Sequence, residues 1–311
     1  MKTIVGRDSL KEAAGPAAVA IGTFDGVHIG HRALIGRTLE HARKDDLVAT
    51  VLTWDRHPAA TLRPDKEPPQ LATPERKVEL IQQTGIDQLV VLEFDETLSR
   101  WTPQEFVRRV LVEGLEAGAV LVGSGWRFGH KAAGDVDLLG RLGVELGFSV
   151  VPLELSQVEE EPASSTRVRR ALADGDLALV RSLLGRPFDM DGVVKKGDGR
   201  GTGLGWPTAN LAVPDGFAHP PRGIYAGRAR VGSEWWPAAI SVGVNPTFGG
   251  QPGTTPVRVE AYLIDFSGDL YDQPIRIEFH QRLRDELKFD SVDELTAQIA
   301  RDVEDARRLT S

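Results

Sequence analysis

The sequence predicts an α/β domain built on a doubly wound parallel sheet, followed by a small β-barrel closed by a terminal helix. Three observations carry this expectation. Short apolar runs alternate with helical patterns from Ala17 to about Leu155; from Phe188 to Phe279 short strand-like runs follow one another with Gly and Pro between them; one long amphipathic stretch then ends the chain.

The strand candidates of the first part are Ala17–Ile21, Val48–Trp54, Gln88–Leu92, Ala119–Val122 and Phe148–Leu153. After the first of them, Leu34, Ile35, Leu39 and Ala42 recur at helical spacing. Thr73-Pro74 and Thr102-Pro103 each supply an N-cap followed by Pro at the first helical position, and Thr102 with Glu105 makes a capping box. Helical patterns at Thr166–Ala173 and Leu177–Leu184 precede Gly185-Arg186-Pro187, where the texture changes, so the expected domains are 1–186 and 187–311. The barrel strands expected beyond that point are Phe188–Lys195, Tyr225–Val231, Trp235–Val242, Val257–Leu263 and Ile275–Phe279. The last helix opens on a Ser291/Glu294 capping box and carries Val292, Leu295, Ile299, Val303 and Ala306 as its apolar stripe.

With 311 residues, 41% hydrophobic and 26% charged, the chain can supply two cores. The absence of cysteine excludes disulfides, thiolate metal sites and cysteine nucleophiles, and suits a cytoplasmic protein. No apolar run approaches the ~18–20 residues that span a bilayer, and the N-terminus lacks an apolar signal core. A net charge of −8 leaves no electrostatic footprint for nucleic acid, and the cluster Arg167, Arg169, Arg170 is too short to change that. Neither nucleic acid nor membrane is therefore an expected partner.

Gly22 to His31 reads G-T-F-D-G-V-H-I-G-H and sits between an apolar strand and an amphipathic helix. That context puts His28 and His31 at a helix N-terminus, where backbone N–H groups and the macrodipole favour phosphate and imidazoles add donors to a phosphoryl group gaining charge. Downstream, Ser164-Ser165-Thr166-Arg167-Val168-Arg169 offers hydroxyls to cap a helix and an arginine, Arg169, to reach phosphates.

The second half has its own candidate chemistry. Gly197 to Asn210 reads G-D-G-R-G-T-G-L-G-W-P-T-A-N, with neither a G-K-[ST] nor a G-x-G-x-x-G spacing. Its glycines, Gly201 and Gly203 among them, leave a main chain able to approach phosphates closely. Thr208 and Asn210, two apart on a strand, would project from one face and could hold a hard cation such as Mg²⁺ together with a triphosphate.

The H-x-G-H turn and the S-S-T-R-V-R turn resemble the nucleotidylyltransferase superfamily and, within it, the bacterial bifunctional riboflavin kinase/FAD synthetases. G-x-P-T-A-N, Gly223–Gly227, Gly243–Phe248 and Val257–Phe266 are similar to the riboflavin kinase module, and the resemblance runs from about residue 17 to 308. It implies a nucleotidylyltransferase domain and a riboflavin kinase barrel, with riboflavin, FMN and ATP as the molecules bound and Mg²⁺ as cofactor. The barrel would phosphorylate riboflavin, with Thr208 and Asn210 on Mg·ATP and Glu260 as general base. The first domain would then transfer AMP from ATP to FMN. His28, His31 and Arg169 would stabilise charge there, and Gly22, Thr23, Phe24, Asp25, Gly30, Gly125, Arg127, Ser164, Ser165 and Thr166 would line the nucleotide site.

The chain departs from the family pattern at Gly125-Trp126, where relatives carry Asn or Asp and then Phe, and at Trp54 and Arg56, where Phe and Pro are usual. Thr202 stands where Arg is frequent, and Ala163 where Ile is. Two alternatives follow: a riboflavin kinase whose first module is weakened or takes a nucleotide other than ATP, and a flavin-binding regulatory protein without turnover.

Overall fold

The computed structural model describes residues 1–154, 156–196, 205–244 and 257–310. Two compact units make up the chain, Met1–Ser165 and Thr166–Ser311.

In the first unit the strands are β1 (Lys2–Val5), β2 (Ala17–Ile21), β3 (Val48–Trp54), β4 (Gln88–Leu92), β5 (Ala117–Gly123) and β6 (Ser149–Leu153). They form one parallel sheet in the order β1-β4-β3-β2-β5-β6. A short hairpin, β7 (Gln157–Val158) with β8 (Glu161–Pro162), follows. The helices are α1 (Ile29–Asp45), α2 (Pro58–Leu62), α3 (Pro74–Gln82), α4 (Glu96–Ser99), α5 (Pro103–Phe106), which continues as a π-helical turn Val107–Val112, and α6 (Val136–Leu146).

Alternation along β2 explains the double winding. Ala17, Val19 and Ile21 enter one core with Leu52, Val90, Val120 and Phe106, while Ala18 and Ala20 enter the other with Ile35, Val51, Leu89 and Ile81. A strand buried on both faces has no polar side to display, hence its unbroken apolar run. The chain leaves β2 toward β3 on one side and returns to β5 on the other, so the sheet changes direction between β2 and β5. The crevice beyond the carboxyl ends of those two strands is where such sheets bind ligands.

Both predicted Thr-Pro caps form, with Thr73 accepting Arg76 N–H and Thr102 accepting Glu105 N–H; Glu105 returns the bond to Thr102 N and completes the capping box. Strand β1 lay outside the sequence expectation. Of its four residues only Ile4 is buried, so it carries almost no pattern.

The second unit begins with α7, whose full helix runs Ser165–Ala173, and α8 (Leu177–Leu184). Six strands then close into an antiparallel barrel: β9 (Phe188–Lys195), β10 (Ala209–Ala212), β11 (Gly223–Val231), β12 (Glu234–Val244), β13 (Val257–Leu263) and β14 (Pro274–Arg284). Around the barrel they run β10-β13-β12-β11-β14-β9, with β9 pairing back to β10. At Gly227 the register of β11 against β14 shifts, and a Cβ there would lie 1.9 Å from the Glu278 carbonyl oxygen, so only glycine allows the strands to approach.

The terminal helix α9 (Val292–Thr310) lays Ile299, Val303 and Ala306 against Ala226 and Ile264. Val292 does not join the expected stripe: it is 61% exposed, because contact begins only after the first turns. The Ser291/Glu294 box closes by half. Ser291 Oγ accepts Glu294 N–H at 3.2 Å, but Glu294 Oε2 takes its bond from Asp290 N rather than Ser291 N.

α8 packs on β9 and β14, with Leu177, Val180, Leu183 and Leu184 buried. α8 thus shares the compact unit Thr166–Ser311 with the barrel.

Candidate active sites

The first site grows out of the turn between β2 and α1. Phe24 and Val27 adopt left-handed backbone (φ 51° and 41°), costly for a bulky and a β-branched residue. Asp25 anchors the turn: its buried carboxylate accepts Leu71 N–H at 3.0 and 3.2 Å, and its carbonyl oxygen accepts Ser165 Oγ–H at 2.9 Å. His28 is the N-cap of α1, its Nδ1 accepting His31 N–H at 3.4 Å, which leaves the proton of the neutral ring on Nε2. The two imidazoles stack, centroids 3.6 Å apart at 23°. Gly30 permits this packing, since a Cβ would stand 3.1 Å from His28 Cε1 and 3.4 Å from the Ala163 carbonyl oxygen.

Burial sets the charge of the pair. Desolvation lowers the His28 pKa from 6.5 to about 4. For His31 desolvation, then the charges of His28 and Lys77, push it well below 6.5. Both rings are therefore neutral near pH 7. His31 Nδ1 is buried and has no hydrogen-bond partner among the described residues, a donor or acceptor position of the kind that a ligand satisfies.

Two cavities open beside this turn. A small polar one of about 20 Å³ is lined by Thr23, Asp25, Asp55, Arg56, His57, Gln70 and Lys77. Lys77, on α3, donates to the Trp54 carbonyl oxygen at 2.7 Å; burial lowers its pKa, against the opposing pull of Asp25 and Asp55. The other, of about 900 Å³, starts at Gly22 and Thr23. Its walls hold the aromatic rings of Trp54, Phe94, Phe106, Trp126 and Phe128, with Arg63, Arg100, Arg127 and Lys131 among its cations. Trp126 and Phe128 stack at 4.6 Å and 9°, and Trp54 meets Phe94 edge-on at 5.6 Å.

The sequence marks Trp54, Arg56 and Trp126 only as departures from the family pattern, and does not point to Lys77, Phe94 or Phe106. Lys77 sits 46 residues after His31, and nothing local marks it. Gly125, expected in the nucleotide site, does not belong to the wall of either cavity; its position is exposed, with nothing within 4 Å of where a Cβ would stand. Arg127 is a wall residue, held by the Ala132 carbonyl oxygen at 3.1 Å. Ser164 is half-buried just before α7, Thr166 is exposed, and Arg169 is half-buried one turn into the helix.

In the second unit the register of β10 against β13 sets Asn210 opposite Glu260. Thr208 Oγ–H donates to Glu260 Oε2 at 3.2 Å, and Asn210 Nδ2 reaches the Thr208 carbonyl oxygen at 3.5 Å. A hydroxyl, an amide oxygen and a carboxylate thus converge, all hard donors suited to Mg²⁺. A positive group already lies among them, since Arg258 bonds both Asn210 and Glu260. Among the described residues no group of three or more His, Asp or Glu side chains could hold a metal unaided. Gly201, Gly203 and Thr202 lie outside the described residues, as does Asn245–Phe248.

Known families match both halves of the chain. The FAD synthetase family model matches residues 10–167 and the riboflavin kinase model residues 184–310. The bifunctional riboflavin kinase/FMN adenylyltransferase of Escherichia coli strain K12 is 37% identical over 99% of this chain and 97% of its own length. The chain belongs to this bifunctional family. The Bacillus subtilis strain 168 member is 34% identical over 97% of this chain and 95% of its own. A solved Streptococcus pneumoniae structure, described as a macrolide-efflux protein, has a TM-score of 0.87 at 30% identity and covers 99% of both chains. Among the described residues here, no helix is long and apolar enough to cross a membrane.

Proposed function

We propose that this chain makes FAD from riboflavin in two ATP-dependent transfers, one on each unit. The observation that supports this most directly is the fall of the two family models on successive parts of one chain, each over a cluster of side chains suited to its transfer. In the barrel the ribityl 5′-hydroxyl attacks the γ-phosphorus of ATP, Glu260 takes the hydroxyl proton, and ADP leaves. Thr208 and Asn210 would hold Mg²⁺, which would supply positive charge to offset that of the phosphates.

In the first unit an FMN phosphate oxygen attacks the α-phosphorus of a second ATP, and pyrophosphate departs. No proton abstraction is required, so the demand on the protein is orientation and donors for developing charge. Neutral His28 offers its Nε2–H for that purpose, His31 its buried Nδ1, which has no partner among the described residues, and α1 its N-terminal N–H groups. Arg169 is assigned to the leaving phosphates. The aromatic cavity beside Thr23 has the size and flat walls for an isoalloxazine ring. ATP consumption and the absence of cysteine suit the cytoplasm, where we place the enzyme.

The test is chromatography of products after mixing the protein with riboflavin, ATP and Mg²⁺, with CTP and GTP offered against FMN in parallel. FMN and then FAD are expected from ATP. His28→Ala and His31→Ala should keep FMN formation while FAD formation falls. Loss of both activities in folded protein would refute two separate sites.

A further inference from the structure

The second unit places a guanidinium on the Asn210 oxygen that the kinase reading gives to a metal and on the Glu260 carboxylate that it makes the general base. Arg258 stands two residues before Glu260 on β13, hence on the same face, diagonal to Asn210 of β10. Its Nε and Nη2 donate to Asn210 Oδ1 at 3.1 and 2.9 Å, and its Nε forms an ion pair with Glu260 Oε1. The other carboxylate oxygen is engaged by Thr208. One guanidinium thus holds the amide oxygen that a hard cation would take and the carboxylate beside it. The Arg258 and Glu260 side chains are 24% and 25% exposed, so the guanidinium has solvent to move into when it leaves them.

We propose that Arg258 is the placeholder cation of the riboflavin kinase site. It keeps Asn210 and Glu260 aligned in the absence of nucleotide and is displaced from them when Mg²⁺·nucleotide binds. The guanidinium's charge and its hold on Asn210 Oδ1 oppose the approach of Mg²⁺, so the metal complex binds against a charge-assisted contact that must first break. The apparent affinity for metal–nucleotide is therefore weaker than the oxygen set alone would allow, a property traceable to this side chain. The inference rests on Thr208 and Asn210 being the metal-side ligands.

The experiment is calorimetric titration of the full chain with Mg²⁺·ADP, the barrel's binding event being identified as the one that Thr208→Ala loses. Arg258→Ser should lower the dissociation constant of that event about three- to tenfold, the scale of one partly exposed charge-assisted contact. Arg258→Gln, which keeps length and hydrogen bonding without the charge, should shift it the same way. The Mg²⁺ concentration for half-maximal FMN formation should fall in both variants. Unchanged binding in folded Arg258→Ser would overturn the proposal, and so would weaker binding, which would make the guanidinium a ligand of the nucleotide. If Thr208→Ala removes no binding event, the assignment of the kinase site itself fails, and the placeholder with it.

Discussion

Replacing His28 by Asn should flatten the pH dependence of stability of the first unit without removing the cap of α1. Asn is a good N-cap acceptor, so the role of Nδ1 toward His31 N–H can be kept while the titrating ring is lost. Burial lowers the folded-state pKa of His28 from 6.5 to about 4, so the unfolded chain binds this proton first. Above pH 6.5 the group is neutral in both states and contributes no difference; as pH falls from 6.5 toward 4, stability is withdrawn. At about 1.4 kcal/mol per pH unit the full interval is worth about 3 kcal/mol, of which about 2 kcal/mol is lost between pH 7.5 and 5. His31, also shifted down, adds a loss of the same sign that remains in the variant. Urea unfolding at a series of pH values, read by hydrogen exchange of peptides from β2 and α1, measures the effect on this unit alone. Parallel pH profiles for the parent and His28→Asn, or an imidazole of His28 titrating near 6.5 by NMR, would refute the argument.

Glu260→Gln should fold normally and depress riboflavin phosphorylation by about 10²–10⁴-fold, as expected for loss of a general base, while FAD formation from added FMN continues; a parent-like kinase rate would remove Glu260 from the mechanism. Gly125→Asn meets open space, so stability should change by no more than about 0.5 kcal/mol. Its FAD synthesis from ATP should rise by up to about tenfold if the restored amide reaches the nucleotide, and an unchanged rate would place position 125 outside that pocket. Residues 166–311 should fold and phosphorylate riboflavin alone, and should resist urea better than residues 187–311. The shorter fragment lacks Leu177, Val180, Leu183 and Leu184 of α8, each worth about 1.5–3 kcal/mol when fully buried; equal midpoints would show that α8 adds nothing to the barrel.

Much of the fold was legible because its strands leave no room for ambiguity. β2, β3 and β4 begin and end at the predicted residues, since strands buried on both faces are written as short, largely apolar and β-branched runs. β1 was not legible, with one buried side chain in four residues, and β14 runs five residues beyond its expected end at Phe279 because His280–Arg284, with Leu283 as its one apolar side chain, continues the pairing with β11. The His28–His31 turn could be placed at a helix start from the strand before it and the helical spacing after it, both local signals. What surrounds that turn could not. Asp25 holds Leu71, and Lys77 reaches the carbonyl of Trp54, through contacts whose partners lie 46 and 23 residues apart in sequence.

The kinase cluster shows the same limit from the other side. Family motifs put Thr208, Asn210 and Glu260 on one list, but only the register of β10 against β13 makes them neighbours. A shift of one residue in that register would turn Asn210 away from Glu260, because side chains alternate across a strand. The same register is what brings Arg258, two residues before Glu260, within reach of both. Motifs identify the groups that must act on phosphate; pairing between distant strands decides which other charges those groups meet, and therefore how readily the metal-bound nucleotide gains access to them.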